Sequence, residues 1–222
     1  MKFLYFCRRI VINMTKNPLL QYGNIPITTN LLAACYGDLK ATPKKVQALE
    51  KVGDLIRLRR GLYVVNPELS GKAISPQLCA NHIYGPSYVS LHWALRWYGL
   101  IPERVYRVTS VTIQPSKTFE NALGCFDYYK VNRDYFPIGV KSVTENEVSY
   151  LIASPEKALC DLILYDSYLP ARSVKGLMRY LEEDIRFDMD ELAKFDVEII
   201  KKCAETGNKN LILNNLIKII KR

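Results

Sequence analysis

The chain has 222 residues, which is enough for one large domain or two smaller domains that each bury a core. Its content of 49% hydrophobic and 24% charged residues is that of an ordinary globular protein, and the absence of a run of about 18 apolar residues predicts no membrane-spanning helix and no membrane partner. The formal net charge of +9 is concentrated at one end: residues 1–66 contain 11 Lys and Arg against 3 Asp and Glu, whereas residues 67–222 contain 20 against 19. An excess confined to one region indicates a nucleic-acid partner, and the alternative is a basic face that is merely solvated.

The N-terminal segment resembles a secretory signal, but Arg8 and Arg9 interrupt its apolar stretch and no cleavage site of small residues follows. We therefore expect a cytoplasmic protein. Met14 offers a second start, so three interpretations of residues 1–13 remain open: a disordered extension, an added strand, or a stretch upstream of the true start.

Neither a metal site nor a catalytic motif is predicted. The six cysteines lie at least 28 residues apart and the chain has two histidines, which excludes a zinc site of the usual spacing. Cys35 and Cys160 fall in apolar helical patterns, which predicts buried free thiols. Asp188 and Asp190 resemble a metal-binding carboxylate pair, but without a preceding Gly-Ser loop they are better explained as a helix cap. We therefore predict no enzyme and no cofactor.

The first predicted elements are two short helices. Residues 25–28 indicate either a strand or the end of a first helix. Residues 30–36 predict an apolar helix that ends at Gly37, and residues 38–41 predict a turn. Residues 42–52 predict a second helix, which is capped by Thr42, has Pro43 at its first position and ends at Gly53. On this helix Val46 and Leu49 share one side, and the opposite side consists of Lys44, Gln47, Ala48 and Lys51.

A basic two-stranded ribbon is predicted next. Residues 54–59 alternate, with Ile56 and Leu58 on one face and Arg57 and Arg59 on the other. Arg60 and Gly61 form a tight turn in which the glycine needs a positive φ, and residues 62–65 form the second strand. The order helix, turn, helix, ribbon predicts a winged helix-turn-helix, whose second helix enters a major groove and whose wing contacts phosphate.

The rest of the chain predicts a second, mixed domain. Residues 66–72 are polar and rich in turn formers, so we place the domains at 1–69 and 70–222. Helices are predicted at 75–83 and 87–98, and in the second of these an aromatic-rich core face is favoured over a surface that stacks nucleobases. His82 and His92 are interpreted as lying at the edge of the core. Antiparallel strands are predicted at 104–114, 125–132, 138–143 and 147–153. A helix capped by Ser154 follows, and then helices near 171–182, 189–194, 195–205 and 209–221. The predicted class is α+β.

Three stretches, in this order, resemble the AbiEi family, the antitoxins of type IV toxin–antitoxin systems that act in phage defence by abortive infection. They are DLIRLRRGLYVV (residues 54–65), YVSLHWALRWYGLIP (88–102) and IASPEKALCDLILYD (152–166). The similarity extends over residues 25–166. Residues 1–13 have no counterpart in the family, and the chain beyond about residue 170 matches only in general character.

The resemblance implies two functions. The first is repression of the operon's own promoter by the winged helix, on DNA with inverted repeats. The second is action against a cognate nucleotidyltransferase toxin by the C-terminal domain, with or without direct contact. The residues implied for antitoxin function are Ser154, Glu156, Lys157 and Asp161, of which Lys157 is expected to be exposed. Pattern and resemblance together predict these DNA-binding residues: Thr42, Lys44, Lys45, Gln47, Ala48, Lys51, Arg57, Arg59, Arg60, Gly61 and Tyr63.

A second function remains open from the sequence. The chain is either an antitoxin and autorepressor or a stand-alone winged-helix transcription factor whose C-terminal domain senses a ligand or dimerises.

Overall fold

A computed structural model describes residues 17–37, 42–166, 169 and 173–221, which divide into two units between Ser75 and Pro76. The fold is mixed α and β, and its C-terminal end is helical. Among the described residues, none of the helices combines the length and hydropathy that a membrane crossing requires.

The N-terminal unit packs two helices against a small antiparallel sheet with the strand order β1-β3-β2. After a 3-10 turn at Pro18–Tyr22, its elements are β1 Ile27–Thr28, α1 Thr29–Tyr36, α2 Thr42–Val52, β2 Leu55–Arg59, β3 Leu62–Val65 and α3 Pro67–Ser70. Of the two interpretations of residues 25–28, the strand is therefore confirmed. Its core contains Leu19, Ile27, Leu32, Val46, Leu55, Tyr63 and Val65.

Both helices end where the sequence predicts. Gly37 and Gly53 follow α1 and α2 with φ of +70° and +86°, a conformation that glycine adopts without a steric penalty. The start of α2 differs from the prediction, because Thr42 is already the first helical residue and not the cap. The predicted turn at 38–41 lies outside the described residues.

The alternation predicted for β2 is interrupted by a bulge. Arg57 lies opposite Tyr63, whereas Arg59 lies opposite Leu62, so the register shifts between the two arginines. The shift changes which face Leu58 occupies relative to its neighbours. Leu55 and Leu58 are therefore the buried residues of the strand, and Ile56 is only half-buried, against the prediction.

The C-terminal unit is built on a six-stranded sheet with the order β6-β7-β5-β4-β9-β8. Its strands are β4 Ser87–Val89, β5 Arg107–Thr112, β6 Lys117–Asn121, β7 Gly124–Lys130, β8 Val140–Glu145 and β9 Val148–Ala153. Its helices are α4 Pro76–Ile83, α5 Leu91–Trp97, α6 Pro155–Tyr165, α7 Val174–Arg179, α8 Met189–Leu192, α9 Val197–Thr206 and α10 Asn210–Ile220, and α7 continues into a π-helical turn at Tyr180–Asp184.

Two predictions for this unit are wrong, and one strand has no predicted counterpart. The expected helix at 87–98 begins as strand β4, because Tyr88 and Val89 favour a pleated backbone. The helix starts only at Leu91, which has a φ of +55°. The sheet is mixed, since β5 runs parallel to β7 and β4 runs parallel to β9. Strand β6 was not predicted, because its mainly exposed residues show no apolar alternation.

Other local predictions hold. Ser154 caps α6, and its Oγ accepts a hydrogen bond from the Lys157 N–H at 3.3 Å. Asp188 caps α8 in the same way, through the backbone N–H groups of Asp190 and Glu191. Cys160 is buried as predicted, but Cys35 is only half-buried.

Candidate functional site

The outward side of α2 is the basic surface that the sequence predicts for nucleic acid. Val46 is 3% exposed and packs in the core, whereas Lys44, Gln47, Ala48 and Lys51 are exposed. The predicted division of the helix into an inner and an outer side is thus confirmed, and DNA contact stays a prediction. The side chain of Thr42 lies outside the described part of the structure.

Two of the predicted cationic contacts already have partners within the unit. Arg57 donates through Nε and Nη2 to both carboxylate oxygens of Glu50, each at 2.6 Å, which joins β2 to α2. Lys45 Nζ lies 3.8 Å from the centroid of the Tyr36 ring. A bidentate ion pair and a cation–π contact both hold their cation in place. These two residues are therefore less available to a phosphate than the sequence suggests.

The other predicted cations point to solvent. Lys44, Lys51 and Arg60 form no hydrogen bond or ion pair with any described residue, and all three are exposed. Arg59 is also exposed, and its Nη1 donates to the Arg60 carbonyl at 3.3 Å, which orients the guanidinium without neutralising it. The free positive charge thus lies on the outer side of α2 and at the tip of the β2–β3 ribbon.

Two residues of the predicted set are structural. Tyr63 is 7% exposed and belongs to the core of the unit, so its side chain is absent from the basic surface. Gly61 has a φ of +77°, as the turn prediction requires, and its carbonyl accepts a hydrogen bond from the Thr29 N–H at 3.1 Å. The ribbon turn is therefore attached to the start of α1.

The residues implied for antitoxin function lie in the interior of the C-terminal unit, and not on its surface. Ser154, Lys157 and Asp161 are completely buried, and Glu156 is 9% exposed. The expectation that Lys157 is exposed is wrong, because α6 is covered on nearly every side and buries its polar positions together with its apolar ones.

Lys157 and Asp161 are the centre of a buried polar cluster. Lys157 Nζ lies 3.5 Å from Asp161 Oδ1, one helical turn away, and donates to the Tyr135 carbonyl at 2.9 Å. The two Asp161 oxygens accept hydrogen bonds from Tyr135 Oη at 2.8 Å and from Ser90 Oγ at 2.6 Å. Lys157 Nζ also lies 4.0 Å from Cys203 Sγ on α9. We call these five residues, Lys157, Asp161, Tyr135, Ser90 and Cys203, the Lys157 cluster.

Burial governs the ionisation of this cluster. It raises the pKa of the Asp161 carboxyl, while Lys157 and the hydroxyl groups of Ser90 and Tyr135 act in the opposite direction by stabilising the carboxylate. The hydrogen bond with Cys160 lowers the pKa of the Cys203 thiol, and Lys157 adds to this effect. Each charged group therefore depends on its neighbours, since no solvent reaches Lys157 or Asp161.

The cluster connects distant parts of the chain. Ser90 follows β4, Tyr135 lies in the connection between β7 and β8, and Cys203 comes from α9. Glu156 adds a further link, because its Oε1 accepts a hydrogen bond from the backbone N–H of Asp196, the cap of α9, at 3.2 Å. Such an enclosed arrangement can position helices and strands, but it offers no surface to a substrate or a protein partner.

Sequence reasoning missed Ser90, Tyr135, Cys203 and Gly139. Gly139 has a φ of +62°, and a Cβ atom there would lie 2.9 Å from Lys157 Cβ and 3.1 Å from Ser154 Oγ. The glycine thus lets the chain pass close to the start of α6. These residues lie between 15 and 71 positions from their partners, and no spacing rule relates them.

Comparison with models of protein families gives no match, and comparison with curated proteins gives no significant match. Among the described residues, no group of three or more His, Cys, Asp or Glu side chains is arranged to hold a metal ion.

Proposed function

We propose that the N-terminal unit is a winged helix-turn-helix that binds duplex DNA, and that the chain is the antitoxin and transcriptional autorepressor of a type IV toxin–antitoxin operon. The observation that carries the DNA-binding part is the outer side of α2. It exposes Lys44, Gln47 and Lys51, while the inner side of the helix packs on a three-stranded sheet whose ribbon ends in Arg59 and Arg60.

Within this proposal α2 is the helix that enters the major groove. Gln47 lies between Lys44 and Lys51 on the exposed side, and its amide group can form two hydrogen bonds with the edge of an adenine. Lys44 and Lys51 contact phosphate or base edges on either side of it. The helix thus supplies one base-reading side chain and two cations.

The ribbon supplies the phosphate contacts of the wing. Arg59 and Arg60 are free to reach the DNA backbone, whereas Arg57 already forms a bidentate ion pair with Glu50. Arg57 therefore contributes less than the other two arginines to the slope of log affinity against log salt concentration.

The C-terminal unit counteracts the toxin in this proposal. Residues 76–222 are almost neutral, with 19 Lys and Arg against 18 Asp and Glu, so this unit has little electrostatic attraction for DNA. The burial of Ser154, Glu156, Lys157 and Asp161 supports a role for these residues in holding the unit together. Protection then depends on an outer surface that the Lys157 cluster maintains.

The experiment is a pair of assays on the full chain. The first measures binding to the DNA upstream of its own gene against a shuffled duplex of the same composition. The second measures growth when the chain is co-expressed with a neighbouring nucleotidyltransferase. Preferential binding together with growth rescue is the expected result. Binding without rescue would favour the stand-alone transcription factor, and equal binding to both duplexes would contradict the repressor.

A further inference from the structure

Strand β8 is the last strand at one edge of the six-stranded sheet, as far as the described residues show. It pairs on one side with β9 in antiparallel register, from Val140 opposite Ala153 to Glu145 opposite Val148. The two strands are joined by Asn146 and Glu147, which have φ of +49° and +65° and form a tight two-residue turn. The pair that flanks such a turn is hydrogen-bonded, and bonded and non-bonded pairs alternate from there.

This alternation determines which backbone groups of β8 point away from the sheet. Glu145, Val143 and Lys141 direct their N–H and C=O groups to β9. Ser142 and Thr144 direct theirs outward, and among the described residues no backbone group of another element bonds to them. Their side chains are exposed. The edge therefore offers the hydrogen-bonding pattern that a further strand would need.

The sequence of the edge is complementary to itself. If a second copy runs antiparallel with Val143 opposite Val143, Ser142 lies opposite Thr144 as a hydrogen-bonded pair, and Lys141 lies opposite Glu145 as a non-bonded pair. Opposite charges in directly facing positions stabilise an antiparallel pair. Glu145 is already oriented, because its Oε2 accepts a hydrogen bond from Tyr150 Oη at 2.7 Å. By symmetry, Lys141 of each copy would thus face Glu145 of the other copy, so that the charge pair occurs twice.

The opposite edge of the sheet lacks this complementarity. On β6 the equivalent centre is Phe119, which would place Lys117 opposite Asn121 and Thr118 opposite Glu120. Thr118 Oγ1 is already bonded to Asp127 at 2.7 Å, and Lys117 Nζ lies 4.9 Å from the centroid of the Phe119 ring. Association through one edge alone gives a closed pair, whereas use of both edges would give an open chain.

We propose that the chain forms a two-fold dimer in which β8 pairs with β8 of a second copy, so that the sheet continues across the pair. The contact is small compared with a standard protein interface, so the dimer is in equilibrium with the monomer at micromolar concentrations. This inference is independent of the proposed DNA-binding and antitoxin activities, since it concerns the edge strand alone.

The test is sedimentation equilibrium of the full chain from low to high micromolar concentration. The wild type is expected to show reversible dimerisation. Lys141→Glu places two acidic side chains opposite each other in each symmetric pair, and we expect association to weaken by about tenfold or more. Glu145→Lys should have the same effect. The double substitution Lys141→Glu and Glu145→Lys restores opposite charges and should recover dimerisation.

Two further variants separate edge pairing from other causes. Ser142→Pro removes an outward N–H without removing a bond to β9, so it should abolish the dimer while the thermal midpoint of unfolding stays near that of the wild type. Lys117→Glu makes the same charge change on β6 and should leave association unchanged.

A wild type that stays monomeric, a charge swap that does not restore the dimer, or an equal effect of Lys117→Glu would each overturn the proposal. Binding of a different protein through β8 would appear as a monomeric wild type and counts against it as well.

Discussion

Lys157 and Asp161 form an ion pair that is shielded completely from solvent, so each charge depends on the other. Lys157→Met leaves the carboxylate buried without a cation, which we expect to lower the free energy of unfolding by about 3–5 kcal/mol. Lys157→Met combined with Asp161→Asn removes both charges and should recover part of this loss. Urea unfolding followed by circular dichroism measures both values. A loss below about 1 kcal/mol in the single variant would contradict the described pairing.

The free energy of unfolding of Lys157→Met should also depend on pH in a definite direction. Lys157 opposes the effect of burial on Asp161, so its removal raises the pKa of Asp161 in the folded chain further above its unfolded value. A group whose pKa is higher in the folded than in the unfolded chain binds more protons in the folded state. The stability that this group contributes is lost as the pH rises through its folded pKa. The loss in free energy of unfolding caused by Lys157→Met should therefore be smaller at about pH 5.5 than at about pH 8. An equal deficit at both values would show that Asp161 does not respond to Lys157.

Gln47 is the base-reading residue of the proposal. Gln47→Ala should relax discrimination at one position of the DNA site by roughly 1–3 kcal/mol, because one pair of hydrogen bonds to a base edge is lost. The measurement is a binding profile over all single-base variants of the preferred duplex. Gln114→Ala is a matched control, since Gln114 is exposed and lies in the C-terminal unit. An unchanged profile for Gln47→Ala would remove this residue from base recognition.

At the scale of elements, the ion pair between β2 and α2 distinguishes the arginines of the ribbon. Arg59→Ala and Arg60→Ala should each flatten the slope of log affinity against log salt by about 0.9, since each releases one phosphate contact. Glu50→Gln should steepen the slope by up to about the same amount, because Arg57 is then free to reach a phosphate.

Glu68→Gln is the matched control for Glu50→Gln, because it removes an acidic charge from α3 of the same unit. The slope should respond far less to this change. If Glu50→Gln flattens the slope or leaves it unchanged, the ribbon does not contact DNA in the proposed way.

The elements that sequence could predict are those whose signals are local. Gly37, Gly53 and Ser154 mark helix ends through backbone conformation or a side-chain cap, and these boundaries need no information from distant residues. The bulge in β2 and the strand β6 escaped prediction because neither changes the local pattern of apolar residues in a recognisable way.

The burial of Lys157 could not be predicted for a different reason. In sequence, Glu156, Lys157 and Asp161 look like the polar face of an amphipathic helix. The buried partners of Lys157 and Asp161 come from Ser90 and Tyr135, which are 71 and 26 residues from Asp161. A resemblance that highlights such residues therefore does not reveal whether they act at a surface or in the interior.

At the scale of the whole molecule, two units divide the charge between them. Residues 1–75 have an excess of eight positive charges, and residues 76–222 have an excess of one. The C-terminal unit begins at Pro76 and has its own six-stranded sheet and surrounding helices, as an independently folding domain requires. DNA binding and protection from the toxin should therefore be separable.

The most direct measurement compares the full chain with a fragment of residues 76–222 in both assays. We expect the fragment to fold with a cooperative transition, to show no preference for the DNA upstream of the gene, and to protect cells from the co-expressed nucleotidyltransferase. A folded fragment that gives no protection, while residues 1–75 alone do, would contradict the account, because protection would then be repression of the toxin gene.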